Sequence, residues 1–102
     1  MTLREWLAVR PSPPPRLAER IGEILGSRLD GEAEAFPFLD AASELLTTIN
    51  REARHTRAAA LDLLVADALA TYAFELQAER GGDLLALADV AMAQLSRTST
   101  PA

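Results

Sequence analysis

Residues 58–74 read AAALDLLVADALATYAF and contain only two charged side chains, Asp62 and Asp67. Alanine and leucine are strong helix formers, and they dominate this run. Its apolar residues fall on almost every side of a helix, which is typical of a helix that is buried centrally or shared with a partner. The segment predicts a central helix in an all-α fold.

The flanks of this segment carry helix boundaries. Gly81-Gly82 favours a left-handed helix end, and Asp83 can cap a last amphipathic helix. On the other side, a continuous helix of about forty residues would be exceptionally long, so we expect a break between residues 50 and 56 with Thr56 as the new N-cap. Residues 98–102 are expected to be a frayed tail.

The N-terminal third begins with a capping box, Thr2-x-x-Glu5, followed by Trp6. Prolines then predict a stiff connector over residues 10–14, and Pro15 suits the first position of a second helix. Gly22 and Gly26 lie four residues apart in that helix, and this spacing favours the close approach of another helix.

Phe36-Pro37-Phe38 marks the next helix start, and we expect its aromatic rings to anchor that entry in the core. The sequence thus predicts a small single-domain bundle of four or five helices over residues 1–102, with no sheet.

The amino-acid composition argues against several kinds of site and partner. The 102 residues contain no cysteine, one histidine, ten arginines without lysine and 15 acidic residues, for a net charge of −5. The lack of cysteine excludes disulfides and thiolate metal sites, and the acidic balance disfavours nucleic-acid binding. No run is apolar for long enough to suggest a signal or membrane segment, so we expect a cytoplasmic protein with neither a membrane nor a nucleic-acid partner.

Glu52-x-x-His55 places two metal-ligating side chains on one helical turn. This pair resembles part of the ligand set of the ferritin-like di-iron carboxylate proteins, which use two such motifs and two further glutamates. The chain has one motif, so the resemblance implies a site assembled by dimerisation, with another acid such as Glu44. The favoured interpretation is that no cofactor is bound.

Arg51, Arg54 and Arg57 recur every three residues and predict a local basic ridge. Such a ridge can bind phosphates or an acidic partner, although charge runs are usually solvated faces. The aromatic residues are best treated as core anchors, namely Trp6, Phe36, Phe38, Tyr72 and Phe74. Among them, Trp6 is also a candidate for an exposed contact, because its helix is short and tethered by prolines.

Asp67 falls near the centre of the apolar stripe when the helical phase is extended from Leu45, Ile49 and Ala60. This placement predicts a buried carboxylate that is a pocket acid, half of an ion pair between two chains, or the partner of an arginine such as Arg20 or Arg28. Asp62 lies on another side of the same helix.

These observations favour a non-enzymatic helical interaction protein. We expect it to form a homodimer, or to dock on a larger protein, through its apolar central helix, because a chain of this size has limited capacity to bury such a helix. The alternatives are a metal-binding bundle assembled around Glu52 and His55 and a small-ligand bundle with Asp67 in a pocket.

Overall fold

The computed structural model describes residues 1–52 and 56–99. In this part of the chain the helices are α1 (Leu3–Ala8), α2 (Pro15–Leu25), a 3-10 helix (Gly26–Asp30), α3 (Ala35–Glu52), α4 (Arg57–Glu79) and α5 (Leu84–Ser99). The prediction of a small all-α bundle is confirmed. None of these helices has the length and apolar character needed to cross a membrane.

Local sequence signals set the helix starts. The Glu5 N–H donates to Thr2 Oγ1 at 3.2 Å, and the Thr2 N–H donates to Glu5 Oε1 at 2.9 Å, which completes the capping box. Helix α2 starts at Pro15 as predicted. The expected break before α4 is confirmed, since Thr56 has extended backbone and its Oγ1 accepts the Ala59 N–H at 3.1 Å.

The end of α4 is a Schellman motif. Gly81 has φ +67°, its N–H donates to the Ala78 carbonyl at 3.1 Å, and the Gly82 N–H donates to the Gln77 carbonyl at 2.9 Å. Asp83 Oδ1 then accepts the Ala86 N–H at 3.0 Å and caps α5. Helix α5 includes Ser99, beyond the expected start of the frayed tail, and residues 100–102 lie outside the described part.

The core forms where the long helices meet. Helices α3 and α4 pack along each other, and α5 and α2 lie against this pair. The buried residues of α4 repeat at helical spacing along the face that meets these helices. These residues are Val65, Ala66, Leu69, Ala73 and Leu76.

Backbone hydrogen bonds tie α1 to the segment before α3. The Leu3 N–H donates to the Gly31 carbonyl at 3.1 Å, and the Ala33 N–H donates to the Met1 carbonyl at 2.9 Å. Leu3 and Ala33 are both fully buried. The segment joining the 3-10 helix to α3 therefore closes one end of the core.

Two predictions about packing are wrong. Apart from the adjacent residues and the backbone of its own helix, no atom lies within 4 Å of a Cβ built on Gly22 or Gly26. No other helix therefore packs closely against either glycine. Gly26 instead ends α2 with φ +51°, a conformation that suits glycine. Phe38 is buried as expected, but Phe36 is half exposed, because the first turn of α3 directs its ring away from the core.

Replacing Gly81 and Gly22 by alanine should change the free energy of unfolding in opposite directions. Gly81→Ala places a Cβ on left-handed backbone and should lower the free energy of unfolding by about 1 kcal/mol. Gly22→Ala, on ordinary helical backbone with open space around its Cβ, should raise it by about 0.5–1 kcal/mol. Urea unfolding followed by circular dichroism measures both changes, and equal effects would contradict the assigned backbone conformations.

Candidate interaction surface

Exposed large apolar side chains concentrate on α4 and α5. Leu85 is 79% exposed and Met92 is 68% exposed, and the other members are about half exposed. Monomeric proteins rarely leave large apolar side chains clustered in this way. We name this set the apolar face, and it consists of Leu63, Leu64, Leu84, Leu85, Met92 and Leu95.

Helix α5 has apolar residues on two sides. One side turns Leu87 into the core and places Val90 and Ala91 against it. The other carries Leu85, Ala88, Met92 and Leu95, whose spacing of three, four and three residues is that of a coiled-coil seam. The second stripe has no covering element in the described part of the chain, since three of its four members are exposed.

The contribution of α4 to the apolar face borders the same groove as α5. A shallow cavity of about 60 Å³ between α3, α4 and α5 is lined by Ala66 and Ala70 of α4 and by Leu95 of α5. Leu63 precedes Ala66 by three residues and is therefore its neighbour on the helix surface. Leu63 of α4 and Leu95 of α5 thus lie at this apolar groove.

Asp67 lies on the exposed side of α4, so the prediction that it is buried is wrong. The predicted stripe was extended from α3 through the break, and α4 starts with a new helical phase at Arg57. Asp67 lies outside the lining of the described cavities. The interpretation of the protein as a small-ligand bundle with Asp67 in its pocket is therefore not supported.

Asp62 has the arginine partner that was expected for Asp67. Arg20 donates from Nε to Asp62 Oδ1 at 2.8 Å and from Nη2 to Asp62 Oδ2 at 3.2 Å, a bidentate pair that is partly buried. The hydrogen bonds from Arg20 to Asp62 raise the pKa of Arg20, and Glu23 adds to this effect. The pair fixes α2 against α4.

Trp6 is 4% exposed, which confirms its prediction as a core anchor, and the alternative of an exposed contact is wrong. Its ring centroid lies 5.6 Å from that of Phe38 and 6.0 Å from that of Tyr72. The indole Nε1–H donates to Glu79 Oε2 at 2.8 Å, and the guanidinium of Arg10 lies 4.2 Å from the ring centroid. The three rings and Arg10 hold α1 in the core despite its short length.

Arg10 connects the proline segment to α4. It donates to Glu79 Oε1 at 2.7 Å and also to Glu75, one turn earlier on α4. The hydrogen bond from Trp6 and the one from Arg10 lower the pKa of Glu79. This cluster was not predicted from the sequence, because Arg10 and Glu79 are far apart in the chain. The signal in the sequence was the pair of Glu75 and Glu79, which lie one helical turn apart.

The predicted basic ridge and metal pair lie at the α3–α4 junction. Arg51 and Glu52 are exposed at the end of α3, and Arg57 is exposed at the start of α4. Arg54 and His55 lie outside the described residues, so the ridge and the metal pair stay predictions. Glu44, the suggested additional ligand, accepts hydrogen bonds from Arg28 Nη2 on both of its carboxylate oxygens, each at 2.9 Å.

A search of the described residues found no group of three or more His, Cys, Asp or Glu placed to hold a metal ion. Comparisons with protein-family models, curated proteins and solved structures found no match for this chain.

Asp62 and Asp67 are a matched pair for testing the revised placement. Asp62→Asn should lower the free energy of unfolding by about 1–2 kcal/mol, because it weakens a charged, partly buried hydrogen-bond pair. Asp67→Asn should change it by less than about 0.5 kcal/mol, as expected for an exposed side chain. Urea unfolding at submicromolar protein, followed by Trp6 fluorescence, measures both, and a larger loss for Asp67→Asn would contradict the placement.

The anchoring of Trp6 should weaken in acid. The pKa of Glu79 is lowered in the folded protein, so its ionised form stabilises the fold above the usual glutamate pKa of 4.5, and this contribution is lost as the pH falls through the lowered value. Glu79→Gln should remove this part of the pH dependence. Urea unfolding between pH 7 and pH 3, followed by Trp6 emission, measures it.

Glu19→Gln is the control for the acid experiment, because Glu19 is exposed on α2. It should keep the wild-type dependence of stability on pH. If Glu79→Gln also kept the wild-type dependence, the proposed role of the Trp6–Glu79 hydrogen bond would be wrong.

Proposed function

We propose that the chain is a non-enzymatic helical interaction protein that forms a homodimer through the apolar face of α4 and α5. The observation that carries the proposal is the clustering of large, exposed apolar side chains on these two helices. The cytoplasm is the compartment that we propose for it.

The energetics favour association of moderate strength. Completing the burial of a half-exposed leucine contributes roughly 1 kcal/mol, so the apolar faces of two copies together contribute on the order of 12 kcal/mol. Association costs an estimated 4–15 kcal/mol in lost freedom of motion. At the lower end of that cost the balance leaves about 8 kcal/mol, which corresponds to a dissociation constant of about 1 μM and sets the upper limit of the expected affinity.

The α5 stripe suits a second copy of itself. When two α5 helices lie antiparallel about position 90, Leu85 faces Leu95 of the partner subunit, and Ala88 faces Met92 of the partner subunit. Each large side chain then meets either a leucine or a small residue, as interdigitated packing requires. The same patch serves both copies, which is the defining property of a twofold interface.

The stripe also carries no charge at these four positions. Two copies can therefore approach along it without burying an ionised group, the usual penalty at the centre of an interface. Asp67 follows Leu63 and Leu64 by one helical turn and is therefore their neighbour on the surface of α4. The uncharged α5 stripe is thus the part of the apolar face suited to the centre of the interface. These features support the second copy as the occupant over a partner chosen by charge.

Leu85→Gln tests the homodimer. The variant replaces an exposed leucine by another good helix former, so the monomer should fold normally. In a twofold dimer the change occurs twice, and each copy loses apolar burial and gains an amide to desolvate. We expect the dissociation constant, measured by sedimentation velocity, to rise at least a hundredfold.

Val9→Gln is the matched control, because Val9 is 79% exposed, as Leu85 is, but follows α1 on a different part of the surface. It should dimerise like the wild type. Equal weakening by both variants would contradict the assigned interface. A wild type that stays monomeric up to about 100 μM would contradict the homodimer and assign the apolar face to a different protein.

A further inference from the structure

A cavity of about 280 Å³ lies between the N-terminal residues and α2. We name it the arm cavity. Its walls come from α1, the proline segment, α2 and one aromatic side chain of α4, so it forms only when residues 1–14 are in place. The lining includes Leu7, Pro11, Pro13, Ile21, Gly22 and Tyr72.

Gly22 helps to leave this cavity open. It lies inside α2, where glycine costs about 1 kcal/mol relative to alanine, and no turn or positive φ requires it. A Cβ at this position meets no atom within 4 Å. Any longer side chain at position 22 would extend into space that borders the cavity.

The volume indicates the size of a ligand. An apolar cavity of about 150 Å³ can hold one benzene ring. A cavity of about 280 Å³ therefore has room for one six-membered ring with a substituent, or for two fused rings. It lies at the lower end of the sizes of small-molecule sites.

The charges around the cavity are already matched. Arg4 lines it but donates from Nε and Nη2 to Asp30 Oδ1, at 3.3 and 3.1 Å. Arg10, nearby on the proline segment, is held by two carboxylates of α4. A neutral ligand leaves both of these ion pairs intact, and the hydroxyls of Ser12 and Tyr72 are then the groups suited to bind its polar atom.

We infer that the arm cavity binds a small uncharged cyclic alcohol, with its ring against the aliphatic walls and its hydroxyl towards Ser12 or Tyr72. The apolar lining stabilises the ring by burial, and the hydroxyl keeps one hydrogen bond that would otherwise be lost on leaving water. This activity is separate from self-association, because the cavity and the apolar face use different residues.

Trp6 reports on this site without a label. It is the single tryptophan, it precedes the lining residue Leu7, and its ring contacts that of Tyr72. Cyclohexanol absorbs no light where tryptophan does, so it is a suitable probe. Its binding should change Trp6 emission saturably, with a dissociation constant on the order of 1 mM, and should shift the methyl resonances of Leu7 and Ile21.

Two variants and one charged analogue make the experiment decisive. Gly22→Leu should fill part of the cavity and weaken cyclohexanol binding at least tenfold, whereas Gly22→Ala should weaken it less than threefold. Cyclohexanecarboxylate should bind at least tenfold more weakly than cyclohexanol, because it would bury an unpaired charge.

Saturable binding with these three results supports the arm cavity as a site for neutral alcohols. A linear, unsaturable response to cyclohexanol, or equal binding by Gly22→Leu and the wild type, would overturn the site. Equal affinity for the carboxylate would overturn the assignment of a neutral ligand. Circular dichroism of Gly22→Leu checks that the variant is folded.

Discussion

Helix α4 carries apolar residues on nearly all sides, and the other helices of a 102-residue chain cover only part of it. Helix α3 packs along α4, α2 also packs against it, and Trp6 and Arg10 of the N-terminal residues bind near its end. Leu63 and Leu64 then remain at the surface. The apolar face follows from this limited coverage, since a small domain has few elements with which to enclose a central helix.

The contact between α4 and the N-terminal residues depends on the cluster of Trp6, Arg10 and Glu79. A helix as short as α1 has little stability of its own, so tertiary contacts must hold it in place. Trp6 supplies them by combining ring contacts with a hydrogen bond to α4. Because Arg10 also binds α4, the proline segment runs back across the protein and encloses the arm cavity against α2.

Features that depend on neighbouring residues were predictable from sequence. The capping box at Thr2, the start at Pro15 and the cap at Thr56 each need only a few adjacent residues, and all three are present. The burial of Asp67 and the exposure of Trp6 were predicted wrongly. The first depended on carrying a helical phase through a break, and the second on a partner, Glu79, from the far end of α4.

The apolar character of the central helix was readable from its composition, but the stripe on α5 was not recognised as exposed. The sequence predicted an amphipathic last helix, with one apolar side. In the structure Leu87 is fully buried, and the exposed Leu85 and Met92 define a second apolar side. Spacing alone cannot decide which of two apolar sides meets the core. That choice depends on how α5 crosses α3 and α4.

Native mass spectrometry of the wild-type protein, purified without chelator, distinguishes a self-associating chain from a monomer. Across roughly 1–100 μM we predict a rising population at twice the chain mass of 11.0 kDa. The spectrum also reports any bound metal ion. A species at the chain mass alone throughout this range would contradict the account.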